Sequence, residues 1–408
     1  MSALRLIFAL IILTLFSSRL FAQSNNLFQL MESAVLNVPA VQSAKIDIER
    51  ARETSKKLQA GPYEFEVFMS GGRREINDAV VTANEFTEWE AGVSRKIRLP
   101  GKRSIDQELA ELEVEFAQIK YEKALNDELM AFIARWNAWS HLAMLSDVLD
   151  EQLADARKLA ESEQQKVDNG AGRQVHADQL MLEAELVYMQ TEQNRLATIN
   201  ARSNLESAYP NVAFPIEPMS FDFASISELI SDEQVLQPEQ RLAEIASKQA
   251  QYAARRARQN RIPDPTLQLS YLEELDGLEN SVVASISIPI GGTARSSAYR
   301  EADAYSRMRV LDLERAQREV NQNFNSSRQG YLFAIENIYR AKDSLEMSRE
   351  VLSRISQGYD TGSLTLAELV AARRSHRETE RYIIEQTSKA ELAALKFWVL
   401  ATDLAIVE

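Results

Sequence analysis

Sixty carboxylates, three histidines and no cysteine define the chemistry open to this 408-residue chain. His141, His176 and His376 are scattered, and none lies in the His-Glu-x-x-His spacing that holds catalytic zinc. Without cysteine there is neither a thiol nucleophile nor a disulfide. Gly170-Ala171-Gly172 lacks the third glycine and the preceding strand of a dinucleotide fingerprint. Asp276-Gly277 is not followed by the glutamate spacing of a calcium-binding EF-hand loop. The pattern points away from an enzyme, with no cofactor and no resident metal expected. Glu368 and Asp178 open helical segments, where a carboxylate complements the helix dipole whether or not it has another task. Glu273, Glu274, Asp276 and Glu279 form an acidic loop, which is either solvated or a binder of divalent cations.

The elements that hold these residues occur twice, 190 to 200 positions apart. Pro39–Ala44 and Pro238–Ala243 each open a helical stretch. A pair of strand-like segments follows, spanning 63–97 in the first half and 266–290 in the second. Next comes a glycine corner: Leu99-Pro100-Gly101-Lys102-Arg103, then Pro289-Ile290-Gly291-Gly292. Long helices are expected over 104–168 and 294–358, ending at the matching turns Asp168-Asn169-Gly170-Ala171-Gly172 and Asp360-Thr361-Gly362-Ser363. Return helices over 174–208 and 365–402 complete each half. Repeats of this length are duplicated structural units, 23–209 and 238–408, joined by a crossover at 210–237.

At 1.5 Å per residue, a 65-residue helix extends about 98 Å, far beyond the roughly 12-residue helix of an ordinary domain. Leu109, Leu112, Phe116 and Ile119 and, further on, Leu125, Leu129, Phe132, Trp136 and Trp139 recur three and four apart within each run, a stripe that demands partner helices. An antiparallel coiled coil satisfies it, with Trp136 and Trp139 as packing residues.

The strand segments alternate. Tyr63, Phe65, Val67 and Met69 interleave with Glu64, Glu66 and, less cleanly, Phe68; Trp89, Ala91 and Val93 interleave with Glu88, Glu90 and Ser94. Leu267, Leu269 and Tyr271, and Val282, Ala284, Ile286 and Ile288, repeat the pattern. Both a half-buried soluble sheet and an outer-membrane strand read this way. Four strands cannot close a barrel, and open edges are not tolerated in lipid, so the membrane reading requires copies that pool their strands. Three copies give twelve. The turns 71–85 and 273–280 would then lie outside the cell.

Composition supports export. Arg5, the apolar run Leu6–Phe16 and Leu20-Phe21-Ala22 before Gln23 form a signal peptide over 1–22, too short to span a bilayer. Without Arg5 and Arg19 the formal charge of −14 becomes −16, unsuited to nucleic acid, which needs a basic footprint. The 13 glycines and 10 prolines cluster at the corners, as few, long elements require.

The order and spacing of these features resemble the TolC family of outer-membrane efflux channels over essentially the whole mature chain. The Leu-Pro-Gly-Lys-Arg corner at 99–103 resembles its cation-efflux branch. The resemblance implies a mainly α fold with a small β part. Two repeats would form a coiled-coil barrel, and four strands per chain would join a trimeric 12-stranded outer-membrane β-barrel. It also implies a passive exit duct without catalysis, embedded in outer-membrane lipid with a periplasmic extension. The homotrimer would dock a periplasmic adaptor and an inner-membrane pump through Asp168, Asn169, Gly170, Ala171, Gly172, Asp360, Thr361, Gly362 and Ser363. Counting six residues past each turn glycine places Glu368 and His176 at the family's gate position, with Asp178 close by. A further family carboxylate falls on Ala371, and a latch arginine on Leu364. A ring of such carboxylates would favour cations, and His176 would add pH sensitivity. Two alternatives stand beside this reading: the channel of a type I protein secretion system, and a soluble periplasmic coiled-coil scaffold.

Overall fold

Gly61, Gly101, Gly170 and Gly362 all adopt positive φ, and each marks a point where the chain leaves one long element for the next. The computed structural model describes residues 29–75, 85–218 and 235–401. The signal segment and most of the crossover lie outside these residues. Helix α1 (Pro39–Ala60) leads into strands β1 (Phe65–Glu75) and β2 (Glu85–Lys96). Helices α2 (Lys102–Asp168) and α3 (Gln174–Ala208) complete the first repeat. The second runs α4 (Pro238–Gln259), β3 (Thr266–Glu274), β4 (Glu279–Ser287), α5 (Thr293–Asp360) and α6 (Leu366–Ala401).

The chain divides into two compact units. One comprises Ser43–Tyr121 and Pro238–Glu319 and contains the sheet. Its strands pair antiparallel in the order β1-β2-β3-β4, so β1 and β4 each keep a free edge among the described residues. Strands β1 and β3 extend to Glu75 and Glu274, so the expected turns are shorter than the sequence pattern indicated. Gly71 and Gly72 are strand residues. Under the strands, Leu112 and Ile119 of α2 pack on Ile245 of α4, with Phe116, Leu242 and Tyr252 around them.

Register places the side chains in rows. Phe65, Arg95, Leu267 and Ile286 align across the sheet; Val67, Val93, Leu269 and Ala284 form the next row; Met69, Ala91, Tyr271 and Val282 the third. Alternation puts all three rows on one face. Val67 is 82% exposed and Met69 78%. Arg95 lies over the Phe65 ring, and Trp89 leans on Tyr271 at the other end of the face. The opposite face carries Glu66, Ser94, Gln268 and Ser285, then Phe68, Gly92, Ser270 and Val283. Phe68 interrupts the polar pattern for a physical reason. Its ring covers Gly92, where an added Cβ would come within 2.5 Å of it. The aromatic ring shields a backbone that has no side chain of its own.

The second unit comprises Met1–Gln42, Glu122–Gln237 and Val320–Glu408. Phe132, Trp136 and Trp139 of α2 are buried at its core, with Trp136 edge-on to Trp139. Phe214 stacks on Phe132, and Tyr209 meets it at a tilt. Leu153 and Ala156 meet Ala184 and Val187, and Ala160 and Leu180 meet Leu366, Leu369 and Val370. Buried polar pairs fix the helix register. Asn137 and Ser388 exchange two hydrogen bonds of 3.0 Å, and Asn194 donates to the Leu142 carbonyl and to Ser146. A side-chain amide buried in a coiled coil specifies register in this way. Among the described residues no helix is long and apolar enough to cross a membrane.

Candidate functional site

Two constellations stand out, one in each unit. The first surrounds the corner at 99–103. Gly101 turns with φ +87°, and α2 begins at once, so Lys102 and Arg103 belong to the helix rather than to the turn. Lys102 is thereby aimed inward. Its side chain is 3% exposed, and its ammonium donates to Asp264 Oδ1 and to the Ile262 carbonyl, both at 2.8 Å. Asp264 also accepts the Leu99 amide at 3.0 Å and the Tyr63 hydroxyl at 2.9 Å. Burial pushes the Asp264 carboxyl up. The Lys102 ammonium, the Leu99 amide and the Tyr63 hydroxyl outweigh that and hold it below the usual carboxylate range. Burial and the Asp264 charge together raise the Tyr63 phenol.

A second carboxylate extends the network. Asp106 on α2 takes Arg256 of α4 at 2.5 Å and Arg98 at 3.5 Å. Arg98 stacks on the Tyr63 ring and donates to the carbonyls of Gln59 and Ala60 at the end of α1. The ends of α1, α2 and α4 and the segments that flank β1, β2 and β3 are therefore tied together, mostly by charge-assisted hydrogen bonds. Such bonds are about twice as strong as neutral ones. The corresponding corner of the second repeat is plainer. Arg295 donates to the Asn260 carbonyl at 2.9 Å, and Gly291 lies close to the Arg261 carbonyl. Pro289 and Gly292 belong to the same short connection between β4 and α5.

The second constellation lies at the helix turns. Gly170 and Gly362 take φ +76° and +74°, with the same bonds around each. Gly170 donates to Val167 and Ala171 to Lys166; Gly362 donates to Tyr359 and Ser363 to Gly358. This is a Schellman-type end, which favours glycine at the left-handed position. Asp168 and Asp360 close their helices, and Asn169 and Thr361 follow. Gly172 packs against the backbone of Lys166 and Val167. At the matching pair of positions in the second turn the sizes are exchanged, Gly358 receiving the side chain of Leu364.

The gate candidates make separate contacts. Glu368 folds back on Thr365, accepting its amide at 2.7 Å and its hydroxyl at 2.8 Å, a capping box. Those bonds, the amide first, lower its pKa. Asp178 accepts from Gln174 on its own helix. His176 faces Glu163 at 3.8 Å. Buried Glu163 also receives Lys166 at 2.9 Å and the Tyr359 hydroxyl at 3.1 Å, bridging the first helical hairpin to the end of α5. Burial, reinforced by the Glu163 charge, pushes the Tyr359 phenol up to about 12.

In the acidic loop, Glu274 is held by Arg74 and Asp276 accepts the Thr87 amide, so these carboxylates fasten the β3–β4 turn to β1 and β2. Among the described residues no group of three metal-binding side chains converges.

No protein-family model matches the chain, and no curated protein matches it. Solved structures do. VceC, an outer membrane protein of Vibrio cholerae, aligns with TM-score 0.75 at 14% identity, over 91% of this chain and 95% of VceC. CusC, a protein that forms a transmembrane channel, gives 0.76 at 14%, over 93% and 92%. A membrane protein of Pseudomonas aeruginosa gives 0.75 at 16%, over 94% and 92%. The chain carries the TolC fold.

Within that fold, the residues that sequence reasoning missed are those whose partners lie far along the chain. Tyr63 and Asp264 stand two residues before the starts of β1 and β3, and so occupy equivalent places in the two repeats. Pro62 and Pro263 precede them, a signal that aligning the repeats would have exposed. Glu163 and Glu183 carry no local motif at all, and Tyr359 stands out only as the first residue of the turn segment at 359–363.

Proposed function

We propose that the chain is the outer-membrane exit duct of a tripartite efflux system. The observation that carries this reading is the sheet: an apolar face exposed across all four strands, with free edges at β1 and β4. In water so broad an apolar face demands a partner. In lipid the unpaired edge groups would each cost several kcal/mol. Joining β4 of one copy to β1 of the next satisfies both conditions. That contact is heterologous, the kind that yields a ring when the rotation between successive copies closes, and closure is what removes the last free edge. Three copies give twelve strands, with the Glu66 and Ser270 face inward and the Val67 and Met69 face toward lipid. The solved channels that share the fold support this choice.

On this reading residues 1–22 are removed on export, the helical unit lies in the periplasm, and the duct is passive and non-enzymatic. The turns at 168–172 and 360–363 offer exposed backbone to a periplasmic adaptor, which links the duct to an inner-membrane pump. Glu368, His176 and Asp178 serve at the periplasmic end, Glu368 as a helix cap first. Membrane fractionation and cross-linking test the proposal. The protein should require detergent for extraction, and the cross-linked ladder should stop at three copies. Recovery from the soluble periplasm without detergent, as a monomer, would overturn it in favour of the scaffold.

A further inference from the structure

Helix α6 carries arginines at 373, 377 and 381, four apart on one face, with Arg374 beside them. Neighbouring like charges at this spacing repel. Most such arginines on the exposed faces of α5 are neutralised on their own helix, as Arg340 is by Glu336 and Arg354 by Glu350. Here the pairing is incomplete. Glu183 of α3 takes Arg374 through both carboxylate oxygens and Arg377 through one. Among the described residues Arg373 and Arg381 make no ion pair, and the Nε of each is buried without an acceptor. That is unexpected in a chain with 60 acids and 46 bases.

The surplus has a place to act. Arg373 and Arg377 face a small recess beside Glu183, walled by Leu159, Leu180 and Val370. Both oxygens of Glu183 are already covered by guanidinium groups, so the recess presents donors without a free acceptor. Burial first, and then the charges of Arg381 and Arg373, weaken the hold of Arg377 on its proton even with Glu183 attached. A guanidinium is a planar fork suited to two oxygens of one anion.

We propose that Arg373 and Arg377, with Arg381 one turn further along α6, form at the mouth of this recess a binding site for a small oxyanion of the phosphate or sulfate type, which fastens α6 to the α2–α3 pair. The site is independent of the duct reading, because anion binding is measurable whether or not the chain conducts.

The test uses the full-length protein in detergent and inorganic phosphate as the probe. Phosphate should raise the thermal midpoint saturably over chloride at matched ionic strength, since a ligand bound to the folded state stabilises it by mass action. It should also broaden the phosphorus resonance of the free ion. Arg373→Gln and Arg381→Gln should each raise the apparent Kd at least tenfold, whereas Arg340→Gln should leave it unchanged. Arg373→Lys keeps the charge without the fork and should bind at an intermediate level, which covers the case in which the glutamine variant fails to fold. A phosphate effect no larger than that of chloride, or equal Kd values in wild type and Arg373→Lys, would overturn the proposal.

Discussion

Replacing Asp264 with alanine removes the acceptor for three donors at once: the Lys102 ammonium, the Leu99 amide and the Tyr63 hydroxyl. Lys102 would be left almost fully buried with only the Ile262 carbonyl. Removing one partner of a buried pair costs about 3–5 kcal/mol, because the remaining charge is stranded. For a unit of about 160 residues, each kcal/mol lowers the thermal midpoint by roughly 2–4 °C. The expected fall in the sheet-bearing unit is thus about 6–20 °C, read by calorimetry on the purified protein. The double variant Lys102→Met with Asp264→Leu should recover most of it, since an apolar pair of similar volume avoids desolvating two ions. The pH dependence has a definite sign. The folded Asp264 pKa is depressed, so its stabilisation is complete above the unfolded value near 3.9 and is lost as pH falls through the folded value. The gap between wild type and Asp264→Asn should therefore be widest at neutral pH and shrink in acid. A drop below about 2 °C for Asp264→Ala, or a double variant no better than the single one, would refute the claim that this buried pair holds the corner.

Glu391 is 3% exposed, and burial raises its pKa from 4.5 to about 7. An acid whose folded pKa is raised destabilises the fold increasingly as pH rises from 4.5 to 7. Glu391→Gln should therefore raise the midpoint at pH 8, by an energy on the order of 3 kcal/mol, and leave it unchanged near pH 4. Glu183→Ala strands buried Arg377 and should cost about 3–5 kcal/mol in the helical unit, measured as a lowered calorimetric transition. Gly362→Ala imposes a left-handed conformation on a residue with a Cβ; a cost of about 1 kcal/mol should appear as faster hydrogen exchange at Ser363 and Leu364. Val67→Arg on the exposed apolar face should block assembly in the outer membrane, at about 2–4 kcal/mol per copy at mid-bilayer, while Ser285→Arg, exposed on the other face, should assemble, as judged by membrane fractionation.

What the sequence revealed, and what it hid, divides along the range of the interactions. The mainly α fold with four strands was legible because its determinants are local: period-2 alternation in β1 to β4, apolar spacing along α2, and glycine where φ turns positive at 101, 170 and 362. Phe68 looked like a flaw in that alternation only because Gly92, the residue it covers, lies on the neighbouring strand. The carboxylates behaved in the same way. Glu368, whose partner Thr365 is three residues away, could be recognised as helix-start chemistry from the spacing alone. Asp264, Glu163 and Glu183 pair with residues 162, 196 and 191 positions distant, and beyond the matched Pro62 and Pro263 nothing near them in the chain announces it. Yet such separations match the spacing of the two halves, so residues at similar places in each half can meet as donor and acceptor. Tyr63 and Asp264 are such a pair, a hydroxyl and a carboxylate at matching places, bonded across the repeat. Exchanging them, Tyr63→Asp with Asp264→Tyr, should preserve their mutual bond but carry the carboxylate away from Lys102. The swap should consequently destabilise nearly as much as Asp264→Ala. A fully stable swap would show that the corner depends on the Tyr63–Asp264 bond rather than on the buried ammonium.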